Sequence, residues 1–199
     1  MSAVTDRLPR GRHSLTREEV ARSQRERLVR AMAEVMAEQG YARTSVADIL
    51  RAAGVSRETF YQQFSSKEDC FMSAFEEAYG LILSATAAGA GSGAAAPPAL
   101  LDGVLAGYLE ALADSPALAR LFLVEVYAAG PEALARRAEL QRGLVAALAT
   151  ALGTDDRFAV EALVASITAL VTARLVAGDI DGLRALHAPL AAFARKVIA

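Results

Sequence analysis

Two short amphipathic segments stand only three residues apart, and this spacing constrains the fold more than any other feature of the chain. The first opens after Ser45, with Asp48 three residues further on, the pattern of a capping box. It sets Val46, Ile49, Leu50 and Ala53 on one face. Gly54 stops it, and Ser56 can cap a second segment that runs to about Phe64. Two short helices joined by Gly54-Val55-Ser56 make a helix-turn-helix.

The second segment, GVSRETFYQQF (54–64), has two chemically different sides. At about 100° per residue, Phe60 and Phe64 share a face while Glu58 and Gln62 lie opposite, flanked by Thr59 and Tyr61. One side anchors the helix and the other is equipped for recognition. In a helix-turn-helix the second helix enters the DNA major groove. There Gln pairs with adenine and Arg with guanine, and hydroxyls reach phosphate or base edges. The bland alternative is a polar-faced helix in an ordinary bundle.

The surrounding chain reads as helix throughout. Leu28, Met32, Val35 and Met36 form an apolar stripe ended by Gly40. Ser66 with Asp69 offers another capping box, opening a longer helix with Phe71, Phe75, Ala78, Tyr79 and Ile82 inward. AGAGSGAAAPP (88–98) is the one linker-like tract. Beyond it lie five helical patterns, roughly 99–114, 116–129, 131–152, 156–177 and 181–198. No strand alternation or hairpin pattern interrupts them, so the expected class is all-α.

With 199 residues, 54% hydrophobic, the chain can build a real core and is not a disordered one. Its single cysteine, Cys70, cannot make an internal disulfide, and the N-terminus lacks the apolar core of a secretion signal. The stretch 162–173 is shorter than a membrane span, which requires roughly 18 residues. These features predict a cytoplasmic protein with no membrane partner. Residues 1–67 hold twelve Lys and Arg against eight Asp and Glu, whereas 68–199 hold nine against fifteen. A basic front and an acidic back point to a polyanion partner at the front.

Residues 25–41 (RERLVRAMAEVMAEQGY) and 44–71 (TSVADILRAAGVSRETFYQQFSSKEDCF) resemble the tetracycline-repressor (TetR) family of bacterial transcription regulators. Order, spacing and residue type agree across almost the whole run, which covers the front quarter to third of the chain. The resemblance implies a three-helix DNA-binding domain at 20–67 and a helical effector-binding and dimerisation domain at 68–199. It implies phosphate contacts from Thr44 and Ser45, base contacts from Arg57, Glu58, Thr59 and Gln62, and backbone contacts from Tyr61, Gln63 and Lys67. Position 58 is often Gly in the family and position 63 often His. A glutamate at 58 can accept from cytosine N4 or pair with Arg57 or Arg51. Residues 1–19 form either a minor-groove arm using Arg10 and Arg12 or a solubilising tail.

The partners implied are double-stranded operator DNA, a second copy of the chain and a small, mostly apolar effector. Tyr108, Phe122, Glu125, Tyr127 and Ile167 are the candidate effector lining. Glu125 interrupts the apolar run LFLVEVY (121–127), so it either faces solvent or is one of the few polar groups in that pocket. The 156–177 segment is apolar nearly all round and needs cover on more than one side. Phe158, Leu163, Ile167, Leu170, Val171 and Leu175, with Leu186 and Leu190, are the candidate dimer seam. Neither His13 nor His187 belongs to a metal-ligand or nucleophile–base pattern, so no metal, cofactor or catalytic residue is expected. The rival readings are a DNA binder without an effector and a helical-bundle enzyme.

Overall fold

A computed structural model describes residues 16–91 and 96–198. Every regular element among them is helical: α1 (Arg17–Gln39), α2 (Val46–Ala53), α3 (Arg57–Gln63), α4 (Lys67–Ala90), α5 (Pro97–Asp114), α6 (Pro116–Leu123), α7 (Pro131–Leu152), α8 (Arg157–Ala177), α9 (Ile180–Ala185) and α10 (His187–Ile198). Short 3-10 turns at Tyr41–Arg43 and Glu125–Tyr127 follow α1 and α6. The all-α expectation holds.

The local rules act where the sequence places them. Ser45 and Asp48 cap each other reciprocally at the start of α2. Gly54 ends α2 in the left-handed conformation, with φ 61°, which glycine adopts without steric cost. The Ser56 side chain accepts from Thr59 N–H to open α3. At α4 only half of the expected box forms: Ser66 accepts from Asp69 N–H, but the Asp69 carboxylate takes the Ser65 N–H at 2.8 Å.

Three expected boundaries move. α1 begins at Arg17, inside the expected arm. The linker shrinks because α4 continues to Ala90 and α5 starts at Pro97. Gly89 stays helical because it faces α5; a Cβ on it would collide with the Gly103 carbonyl, and a Cβ on Gly107 with the Ala85 carbonyl. The glycines let the two backbones touch. The expected 181–198 helix is two helices, since Pro189 has no N–H for the Ala185 carbonyl and its ring would clash there.

One buried cluster joins α1–α3 to the first half of α4, through Leu28, Met32, Met36, Ile49, Phe60, Phe64, Phe71 and Phe75. It also takes in Leu121, Val126 and Ala133, so α6 and the start of α7 seal the helix-turn-helix core from behind. A second cluster gathers Leu109, Leu112, Leu123, Val171, Leu183 and Leu190 from α5, α6 and α8–α10. Ala149, Leu152 and Val160 form a third between α7 and α8. α8 is long and apolar enough to cross a bilayer by length and composition, but one of its faces packs into these clusters.

Candidate nucleic-acid interface

Phe60 and Phe64 are 0% and 2% exposed, with ring centroids 5.7 Å apart, and fix α3 to the first core. Arg57, Glu58, Tyr61 and Gln62 are exposed on its other side, and Thr59 and Gln63 are half-buried at its edges. Gln62 Nε2 donates to Glu58 Oε1 at 3.3 Å. The Arg57 guanidinium lies over the Tyr61 ring at 5.5 Å, and Arg51 pairs with Asp48 at 3.0 Å. Both arginines considered as partners of Glu58 are therefore occupied elsewhere, and among the described residues the Glu58 carboxylate bonds Gln62 alone.

The edges of this face differ from expectation at Thr44. It is 2% exposed and its hydroxyl donates to the Gly40 carbonyl at 2.9 Å, closing the turn after α1. Such an inward hydroxyl is not free to donate to phosphate. Ser45 is exposed, and its hydroxyl donates to Asp48 at 2.5 Å. Bonds from the Ser45 hydroxyl and amide, followed by Arg51, hold the Asp48 carboxyl down at about 2. Lys67 Nζ donates to the carbonyls of Tyr41 and Thr44, each at 3.2 Å, and sits 3.9 Å from the Tyr41 ring centroid. It ties the α1–α2 connection to α4, with its charge at the domain edge. Arg10 and Arg12 lie outside the described residues.

Two arginines that sequence reasoning missed hold the unit together. Arg25 donates to the Gln63 carbonyl at 3.1 Å and lies 4.4 Å over the Phe64 ring. Arg27 donates to the Ala53 and Gly54 carbonyls. Each neutralises the negative end of one helix of the motif. Both stand on the polar side of α1, where nothing in the sequence distinguishes them from solvated charges.

Tyr41 joins the end of α1 to α4 and to the 3-10 turn after α6. Its ring meets Phe71 edge-on at 5.3 Å, its hydroxyl donates to Glu68 at 2.9 Å, and its N–H donates to Glu125 at 2.9 Å. Burial, then the Glu68 carboxylate, raise the hydroxyl above the ordinary tyrosine range. Glu125 is thus neither solvent-facing nor a pocket group. It is 7% exposed, because an orphan backbone donor and Arg120, 3.5 Å away, compensate its charge.

The other expected back-domain residues separate. Tyr127 is 61% exposed under Arg137, so it leaves the effector lining. Tyr108, Phe122 and Ile167 pack at the margin of the second cluster, with Phe122 stacked on Phe75 at 4.7 Å. An open cleft of about 1050 Å³ between α1, α4 and α7 is lined by charged groups, including Arg22, Arg25, Glu77 and Arg136, and by none of the five. The seam changes as well: Leu163, Val171, Leu175, Leu186 and Leu190 are buried in the chain's own core and Ile167 is half-buried. Their burial leaves no surface for a mate. The apolar side α8 presents outward is Phe158, Ala162, Ala165, Ala169, Ala173 and Val176, with Leu170 beside it. Cys70 is buried, which pushes its thiol up to about 12. His187 Nε2 lies 3.2 Å from the Asp102 carbonyl.

Residues 28–74, the span from the α1 stripe through the recognition helix to the first turns of α4, match the family described as bacterial regulatory proteins, tetR family. That span of the chain carries the TetR-family signature. The TetR match ends in α4, and the back of the molecule is compared by shape. The fatty acid degradation regulator FadR from Bacillus halodurans has 23% identity and a TM-score of 0.77, over 88% of this chain and 95% of that one. FadR from Bacillus subtilis, in complex with stearoyl-CoA, has 25% identity and a TM-score of 0.73, over 85% and 96%. A TetR family regulator from Marinobacter aquaeolei VT8 has 19% identity and a TM-score of 0.72, over 90% and 97%. Among curated proteins, none matches the chain by sequence. The likeness in fold therefore covers most of the chain, and the matched segment, 28–74, is of the kind found in bacterial regulatory proteins.

Proposed function

We infer that the protein is a homodimeric transcription repressor that reads a pseudo-palindromic operator and releases it when a small, mostly apolar effector binds. The observation that carries this reading is α3, with two buried phenylalanines behind it and Arg57, Glu58, Tyr61 and Gln62 exposed in front. Residues 20–67 contact DNA, Arg57, Glu58 and Gln62 at bases and Ser45, Tyr61, Gln63 and Lys67 at the backbone. Residues 68–199 dimerise and take the effector. Two recognition helices reach adjacent major grooves when they stand one DNA turn apart, roughly 34–36 Å. An effector that prefers a different spacing shifts the population away from the bound form.

The outward apolar side of α8, with Phe158 80% exposed and Phe193 of α10 42% exposed, supports dimerisation. The stearoyl-CoA bound by the B. subtilis relative supports an effector with a long apolar chain. Operator selection from random duplexes, followed by titration of stearoyl-CoA into the complex, tests both parts. A selected half-site repeat that dissociates with the acyl-CoA is expected. Selection of no common sequence removes the DNA reading. A second reading, an effector-independent binder, draws support from the packing of Phe122 against Phe75 and Tyr79 where a cavity was expected. Under it the operator complex ignores the acyl-CoA.

A further inference from the structure

A polar path runs between the first and second buried clusters. It starts at the Tyr41 N–H, at the beginning of the turn that leads from α1 into the helix-turn-helix, and passes to Glu125 Oε2 at 2.9 Å. Glu125 Oε1 stands 3.5 Å from Arg120 Nε, one turn back on α6. Arg120 Nη1 then donates to the Leu175 carbonyl, in the last turn of α8, at 3.3 Å. The path therefore runs from the DNA-reading unit to the helix whose outer side is the candidate seam.

Three properties make this more than a surface ion pair. Glu125 is buried, so its contacts are felt at low dielectric. Its position is locked by the Glu125–Tyr127 turn, with Val126 fully buried beside it. The middle joint is open: Arg120 Nε is buried and makes no hydrogen bond, although the carboxylate is within ion-pairing distance. An unmade bond between two buried groups is unfavourable. A small approach of α6 to the 3-10 turn completes it, and a small retreat breaks the pair. Gly40, the residue before Tyr41, leaves room for this, since a Cβ there would stand 3.4 Å from Glu125 Oε2.

We propose that Glu125 and Arg120 are positioning residues that set the angle of the helix-turn-helix relative to α8, and so the distance between the two recognition helices of the dimer. Neither touches DNA; they act through the Tyr41 backbone. The proposal rests on the dimeric operator reading above. It adds the part of the chain through which a displacement at the α8 end reaches the DNA-reading unit.

The test uses the full-length protein, the operator it selects, and versions of that operator with the half-site spacer lengthened or shortened by one base pair. Wild-type protein should prefer its selected spacer by tenfold or more. Glu125→Gln keeps an oxygen for the Tyr41 N–H but removes the attraction to Arg120, and Arg120→Met removes the link to Leu175. Each should reduce the spacer preference at least threefold. Binding to scrambled duplex should stay within twofold of wild type. A merely structural role would lower affinity for all spacers alike, leaving their ratio unchanged, and that result overturns the proposal. Where a variant is poorly folded, amide exchange at Tyr41 in wild type with and without operator serves instead. Greater protection in the complex supports the path, and equal exchange opposes it. Loss of spacer preference in wild type itself would remove the dimeric operator reading rather than the path.

Discussion

The Glu125 carboxylate accepts a hydrogen bond from the Tyr41 backbone N–H across 84 residues of chain, at 2.9 Å. The bond satisfies a donor that the turn after α1 leaves without a backbone partner, and it fastens the back domain to the DNA-reading unit. Glu125→Ala leaves both the amide and Arg120 without their partner. Urea denaturation should show a loss of about 2–4 kcal/mol. A loss comparable to that of an exposed glutamate would mean that water replaces the carboxylate at Tyr41.

Gln62 and Lys67 should separate base reading from phosphate binding. Gln62→Ala should relax preference at one operator position at a cost of about 1–3 kcal/mol, leaving the salt dependence nearly unchanged. Lys67→Ala should weaken specific and scrambled duplexes alike and lower the salt slope by about one unit. Because Lys67 also bridges the Tyr41 and Thr44 carbonyls, its variant should melt earlier as well. Titrations across a salt series, with melting curves alongside, check the pair. A Lys67 effect on base preference alone would contradict this docking.

Among the described residues Glu58 has no cation beside it, since Arg57 lies over Tyr61 and Arg51 pairs with Asp48. A carboxylate in the major groove is tolerated opposite an amino group, and cytosine N4 offers one. Glu58→Ala should accept thymine where wild type requires cytosine, as read by selection from random DNA with both proteins. Unchanged preference at every position would place Glu58 outside the groove.

Glu77 is exposed on the open cleft, yet its carboxyl is raised from its ordinary range, first by partial desolvation against the cleft wall and then by Glu26, with Arg30 and Arg25 opposing. A raised carboxyl binds its proton more tightly in the folded state, so the ionised group opposes folding at neutral pH and the opposition fades as pH falls. Glu77→Gln should therefore melt higher than wild type at pH 7, and the gap should close near the ordinary glutamate value of about 4.3. A gap that widens on acidification would reverse the sign of this argument.

Dimerisation through the outer side of α8 predicts that Phe158→Glu, at a side chain 80% exposed in the single chain, abolishes the dimer without unfolding the protomer. Sedimentation at micromolar concentration, with circular dichroism as control, reports both. A dimer that survives the charge places the seam elsewhere.

Local rules made the DNA-reading unit legible in advance. Ser45, Asp48, Gly54 and Ser56 act within three or four residues of themselves, and the aromatic spacing of Phe60 and Phe64 gives α3 its phase. α8 lacks that property: a helix apolar on every side has no phase to read, so Leu163 and Val171 were assigned outward when they point in. Glu125 was illegible for another reason. Its partner is an amide, which every residue other than proline carries, and the pairing exists only once α6 has packed behind α1. Arg25 and Arg27 likewise bond to carbonyls, which leave no trace in side-chain composition. The break at Pro189 is a local rule that the apolar spacing on either side of it masks.

The bare-backbone contact of α4 with α5, made possible by Gly89, Gly103 and Gly107, turns two helices into one stiff beam. At about 1.5 Å per residue, the 24 residues of α4 reach roughly 36 Å. A tilt of about 5° pivoting at the glycine end then swings Lys67 through about 3 Å, close to the roughly 3.4 Å of axial rise per nucleotide along one DNA strand. The beam magnifies: a motion too slight to disturb the packing at one end displaces the other by about the rise of one base pair.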